Sequence, residues 1–123
     1  MNFFTKDEVR QMTLPGVVST QLINTVNCKD ALMTLTDVIV QPDAIQPRHI
    51  HEFSEQTWYA LEGCGVLLLA DDIEKPFKAG DVARFEKNDV HGFRNNSDKP
   101  FRYISIACPP ADFSKNYDKV LDK

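Results

Sequence analysis

The chain has three histidines, His49, His51 and His91, and they are the residues best suited to chemistry. His49 and His51 stand at i and i+2, so on an extended backbone both imidazoles point to one side. Gln56 follows five residues after His51, and His91 lies 40 residues beyond His51, each on a further expected strand. Two nitrogen donors from one segment, a third from a distant strand and an oxygen donor between them form a ligand set for one divalent metal ion. Imidazole suits zinc, iron and nickel, and oxygen donors extend the range toward manganese. Such a set leaves coordination positions open for water or substrate, as a catalytic site requires. Glu55, next to Gln56, is the alternative oxygen donor. Strand alternation sends the two to opposite faces, so only one can face the ion. Parity groups Gln56 with Trp58 and Ala60, against an outward row of Thr57, Tyr59 and Leu61.

The elements that must position these residues read as short strands. From Val17 onward, β-branched runs alternate with turn chemistry about every ten residues,. Expected strands cover Val17 to Asn24, Ala31 to Val40, Gln56 to Leu61, Gly65 to Ala70, Ile73 to Lys78, Val82 to Phe85, Val90 to Asn95 and Phe101 to Ala107. Pro42-Asp43 and Pro47 bracket an expected loop. At the N-terminus, Thr5 and Glu8 have capping-box spacing, which predicts one or two helical turns from Lys6 to Met12, ended by Leu14-Pro15-Gly16,. Phe113, Tyr117 and Val120 or Leu121 have the spacing of a short C-terminal helix,. No strand–helix–strand rhythm is present. The pattern is that of an all-β sandwich or barrel with short helical segments at both ends.

Two segments resemble the paired motifs of the cupin superfamily. The first, about 43–63, runs in that family as Gly, five residues, His-x-His, three or four residues, a ligand, six residues, Gly. His49, His51, Gln56 and Gly63 match, and Asp43 replaces the opening glycine. The second, about 80–95, matches at Gly80, His91 and Asn95, with Glu86 at a proline position and Asn88 at a glycine position. Asp43 and Asn88 belong to the residue types that tolerate a left-handed backbone. The resemblance implies a small jelly-roll β-barrel occupying 1–123 as a single domain, with His49, His51, Gln56 and His91 as metal ligands. It also implies a homodimer. An amide in place of a carboxylate makes the ligand set neutral, which leaves a bound ion more electrophilic.

Trp58 and Phe93 share the parity of the ligands and are candidates for the pocket wall or for core. Arg48, Tyr103 and Asn95 are further pocket candidates, and Arg84 and Arg102 have uncertain parity. Asp37, a charge in an apolar strand, is either a buried general base or an outer-face residue. The resemblance suggests a divalent metal (Mn, Fe, Ni or Zn) acting as Lewis acid on a small polar substrate, such as a sugar or sugar acid, in isomerisation or ring opening. A dioxygenase and a non-catalytic sugar-binding protein are the alternatives.

Length and composition bound the rest. At 123 residues, 42% hydrophobic and 26% charged, the chain fits one globular domain,. A formal charge of -4 and no basic block argue against a nucleic-acid partner,. The longest apolar run, Val66 to Ala70, is too short to cross a membrane,. Three widely spaced cysteines, Cys28, Cys64 and Cys108, argue against a disulfide framework and suggest a cytoplasmic setting,.

Overall fold

The computed structural model describes residues 1–121. Eleven strands form two antiparallel sheets. They are β1 (Arg10–Leu14), β2 (Val17–Ile23), β3 (Thr34–Val40), β4 (Ile45–His49), β5 (Glu55–Glu62), β6 (Cys64–Leu68), β7 (Glu74–Lys78), β8 (Val82–Phe85), β9 (His91–Arg94), β10 (Phe101–Cys108) and β11 (Lys119–Leu121). The larger sheet runs β11-β1-β2-β3-β10-β5-β8 and the smaller β4-β9-β6-β7. The two face each other as the halves of a jelly-roll barrel.

Alternation along the central strands decides what fills the barrel. Phe101, Tyr103, Ser105 and Ala107 of β10 point inward, as do Thr34, Thr36, Val38 and Val40 of β3. Register lines these up across the sheet. Phe101 pairs Val40, which pairs Val17; Tyr103 pairs Val38, which pairs Ser19; Ser105 pairs Thr36, which pairs Gln21. The inward rows therefore grade from apolar at one end of the barrel to hydroxyl and amide at the other. At the apolar end Phe93 and Phe101 stack at 4.2 Å, with Phe77 beside them. The polar end is where a cavity forms.

Both terminal helices give way to strands. The N-terminal segment makes a single 3-10 turn, Lys6–Glu8, in which Thr5 Oγ1 reaches the Glu8 carboxylate. The rest becomes β1. Leu14-Pro15-Gly16-Val17, expected to end a helix, is instead the tight turn of the β1–β2 hairpin, with Gly16 at φ +71. Proline followed by a glycine with positive φ is the chemistry of such a turn. Pairing with β2 and burial of Met12 override the local helical signal,. The C-terminal segment likewise forms one 3-10 turn, Ser114–Asn116, then β11, which pairs β1. The expected loop around Pro47 is β4, whose proline sits within a break in register opposite β9. The strand expected from Ala31 begins only at Thr34.

The two replaced motif glycines behave as the resemblance implied. Asp43 lies at φ +67 and Asn88 at φ +69. What these positions require is a left-handed backbone, which a short polar side chain also accepts.

On the outer face of the larger sheet, Val18, Ile39, Ile106, Tyr59 and Val82 are exposed. Asp37 and Arg102 pair on this face with a two-pronged contact of 2.9 and 2.6 Å. Glu55 and Arg84 pair there as well.

Candidate metal centre

β4 and β9 bring the histidines together. His49 is the last residue of β4 and pairs directly with His91, the first of β9. His51 follows two residues on and turns its ring to the same side: ring centroids lie 4.9 Å (His49–His51), 4.3 Å (His49–His91) and 5.2 Å (His51–His91) apart. One nitrogen from each imidazole falls within 4.8 Å of the others. Gly92 permits this approach, because a Cβ there would stand 2.6 Å from the Gln46 carbonyl oxygen.

Main-chain carbonyls fix two of the rings. His49 Nδ1 lies 2.7 Å from the Pro47 oxygen and His91 Nδ1 lies 2.9 Å from the Asp89 oxygen. Each Nδ1 therefore carries the proton, and Nε2 is left with its lone pair. Burial holds all three rings neutral. It lowers the His49 pKa, takes His51 down to about 4 with help from the nearby His49, and takes His91 down to about 3, again with His49 contributing. Phe85 stacks on His91 at 4.4 Å and supplies part of that apolar cover.

The fourth candidate donor is Gln56. It is buried on β5, and its Nε2 donates to Ser105 Oγ at 2.7 Å, which turns Oε1 toward His91 Nε2 at 2.9 Å. A neutral His91 whose proton is at Nδ1 has none to give at Nε2. Turned over, the same amide would donate its Nε2–H to His91 Nε2 and accept from Ser105 Oγ, so this pair is satisfied in one orientation and offers two lone pairs in the other,. His51 Nε2 is also buried and has no hydrogen-bond partner. A buried, unpartnered His51 nitrogen with one nitrogen of each other ring within 4.8 Å is what a cation would satisfy, so the residues present fit a divalent metal,. Glu55 points the other way, onto Arg84.

The cavity beside these residues has a volume of about 330 Å³. Ser19, Thr36, Gln46, Trp58, Tyr103, Phe113 and Tyr117 line it, together with the exposed Arg48, Lys115 and Asp118. Trp58 stacks on Tyr103 at 4.2 Å. Tyr103 donates to Gln46 Oε1 at 2.8 Å, and Gln46 donates to Tyr117 Oη at 3.3 Å. Burial raises both tyrosine pKa values, so both hydroxyls stay protonated and available as hydrogen-bond partners.

The pocket candidates separate accordingly. Trp58, Tyr103 and Arg48 line the cavity, with the Arg48 Nε donating to the Leu69 carbonyl at 2.8 Å. Phe93 does not; it is fully buried in the apolar end of the barrel. Asn95 does not either. Its side chain donates to Val40 O and Lys99 O at 2.9 and 2.8 Å and accepts from Ser97, which makes it the organiser of the turn before β10. Asp37, Arg84 and Arg102 are on the outer face. Gln46 escaped sequence reasoning because it lies three residues before His49, the wrong parity for a regular strand. The register break between them puts both inside,.

The family model for the cupin domain matches residues 36–107, more than half of the chain. The chain is a cupin. Among curated proteins it is similar to germin-like protein subfamily 2 member 1 of Arabidopsis thaliana, 32% identical over 98 residues, which cover 76% of this cupin and 40% of that protein. Among solved structures, an uncharacterised conserved protein with a double-stranded β-helix domain from Klebsiella pneumoniae superposes with TM-score 0.73 at 21% identity, covering 100% of this cupin and 99% of that chain. A sugar phosphate isomerase from Silicibacter pomeroyi superposes with TM-score 0.67 at 26% identity, covering 76% and 60%. This cupin thus spans less than two thirds of both the germin-like protein and the isomerase. Among the described residues, no helix is long and apolar enough to cross a membrane.

Two expectations follow from the centre's geometry. Gln56→Ala is expected to weaken metal retention by about tenfold or more, the lower end of what loss of an orienting partner costs, whereas Glu55→Ala leaves it unchanged; competition with a graded chelator measures both. The second concerns pH. With folded pKa values of about 4 for His51 and about 3 for His91, below the ordinary 6.5, the unfolded chain binds more protons throughout that window,. Stability of the metal-free protein is therefore full above pH 6.5 and falls as the pH drops toward 4. Urea midpoints at pH 7.5 and pH 5 are expected to differ in that direction.

Proposed function

We propose that this cupin binds one divalent metal at His49, His51, His91 and Gln56 and acts on a small polar substrate such as a sugar or sugar acid, in isomerisation or ring opening. The observation that carries the reading is the convergence of four neutral donors beside a cavity walled by hydrogen-bonding side chains. The metal would supply Lewis-acid polarisation of a substrate carbonyl or hydroxyl oxygen. Tyr103, Gln46 and Tyr117 would hold the substrate's other oxygens, and Trp58 would give its carbon skeleton a flat wall. The isomerase named above, 26% identical, is consistent with this class of chemistry.

A second reading, a non-catalytic sugar-binding cupin, draws support from one observation. Of the cavity-lining residues, the single carboxylate is Asp118, and it is exposed. The sequence candidate for a general base, Asp37, faces outward and pairs with Arg102. Incubating metal-loaded protein with aldoses, ketoses and unsaturated uronates in D2O separates the readings. Deuterium incorporation next to the carbonyl, or appearance of the open-chain or isomeric product by NMR, is the outcome for an enzyme. Saturable binding without exchange would instead establish the binder.

We also propose that a second copy covers the apolar outer face, giving a homodimer. The charges there are engaged in ion pairs, Asp37 and Glu62 with Arg102 and Glu55 and Glu86 with Arg84, so they are partly compensated. Tyr59→Asp, in the middle of the apolar stripe, is expected to halve the mass seen by light scattering. A monomeric wild type would refute the proposal.

A further inference from the structure

The Gln56 amide has two ways to sit, and its neighbours decide when each is used. Its oxygen and nitrogen exchange places on a half-turn about the Cγ–Cδ bond. One place lies 2.7 Å from Ser105 Oγ and the other 2.9 Å from His91 Nε2. The His91 proton is at Nδ1, on the Asp89 carbonyl, so Nε2 only accepts,. With the amide oxygen toward His91, two acceptors meet, which suits a cation beside them. With the amide nitrogen toward His91, Nε2 receives an N–H and the oxygen receives the Ser105 hydroxyl proton. His91 Nε2 and the Gln56 oxygen are then both satisfied with no ion present. Either orientation works on the Ser105 side, because a hydroxyl both donates and accepts. Gln56, His91 and Ser105 are all buried, so water does not readily take over these roles,.

We infer that Gln56 is a reversible cap on His91. In the empty centre its amide N–H donates to His91 Nε2 and its oxygen accepts from Ser105. When an ion binds, the amide makes its half-turn: the oxygen faces the ion and the N–H passes to Ser105 Oγ. No covalent bond is made or broken, and no proton leaves the amide or the ring. A carboxylate at this position lacks the N–H and would meet neutral His91 as acceptor against acceptor. The amide therefore gives the centre a fully paired metal-free state, which a carboxylate would not. An entering ion has to displace a hydrogen bond, and the competition lowers its apparent affinity by the worth of one such bond, roughly two- to tenfold. The inference rests on the metal-binding reading above and adds a change of partner that the reading does not require.

The test is nuclear magnetic resonance at neutral pH on protein labelled with the heavy nitrogen isotope, first metal-free and then with one equivalent of zinc. A hydrogen bond from N–H to N transmits a scalar coupling between the two nitrogens. The expected result is such a coupling between Gln56 Nε2 and His91 Nε2 in metal-free wild type, with the His91 proton at Nδ1. It should vanish when zinc binds and shifts the ring nitrogens. Gln56→Leu gives a second measurement, because it keeps the bulk and removes the N–H. In the metal-free variant the His91 Nε2 resonance is expected to move to the position of a nitrogen with a free lone pair. Three results would each overturn the cap while leaving the metal site intact: a His91 Nε2 resonance that is the same in wild type and Gln56→Leu, a proton at His91 Nε2, or a coupling that survives saturation with zinc. The wild-type spectra decide by themselves if the variant does not fold. No zinc uptake by wild type would overturn the metal reading and the reversal with it.

Discussion

His91→Ala is expected to leave the barrel folded and to lower divalent-metal affinity by at least about 100-fold. Loss of a residue that merely orients a ligand costs roughly 10- to 100-fold, and in the proposed centre His91 is a donor itself. It is also the donor that joins the other three. It pairs with His49 across the β4–β9 ladder, lies 5.2 Å from His51 by ring centroid and stands 2.9 Å from the Gln56 amide oxygen. Removing it leaves two imidazoles from a single segment and an amide from the opposite sheet, with nothing between them. Elemental analysis of untagged protein prepared without chelator checks this directly: about one equivalent of metal in wild type and none in the variant. A variant that keeps its metal would show that the three rings pack together for other reasons, with Phe85 and Trp58 as their partners.

Asn95→Ala is expected to have the opposite profile, with a large loss of stability and no loss of metal affinity in the folded protein. Its side chain is fully buried and makes four hydrogen bonds, two donated to main-chain carbonyls and two accepted from Ser97. Truncation leaves the Val40 carbonyl and the Ser97 N–H short of a partner where water does not reach easily, while Ser97 Oγ still donates to Lys99 O. A cost of about 2–4 kcal/mol follows from the desolvation penalty of buried unpaired groups. For a domain of this size that corresponds to a fall in Tm of roughly 8–16 °C. Calorimetry on wild type and variant measures it. Metal stoichiometry at low temperature tests whether Asn95 acts only on the turn. Loss of metal from folded Asn95→Ala would return this residue to the site.

The two cases show where the sequence was informative. That these four side chains meet was readable because the signals are local: a two-residue spacing, a parity on β5 and an isolated third histidine in a strand-like run. Parity also placed Glu55 correctly outside. The same parity, applied to Phe93 and Asn95, gave the right face and the wrong place, because alternation says which side chains enter the barrel but not at what depth. Depth is set by register across the sheet, where Phe101, Val40 and Val17 meet at one end and Ser105, Thr36 and Gln21 at the other. Register is a long-range property that one strand's sequence does not carry. The terminal strands were misread for a related reason. The capping-box spacing of Thr5 and Glu8 is a real local preference, and it yields one turn before pairing with β2 takes over. β4 was hidden by its proline, tolerated here at a break in pairing with β9,.

The groups that aim His49 and His91 are the carbonyl oxygens of Pro47 and Asp89, not side chains. A carbonyl is present whatever residue occupies the position. Single-codon changes at 47 or 89 therefore cannot delete these orienting contacts outright, as they could delete an aspartate or glutamine serving the same purpose. The aim of the imidazoles is insulated from mutational drift, while the four donors and the cavity wall remain open to it. A lineage built this way can change its cavity wall, or the side chain at position 56, without first rebuilding the support beneath the two rings.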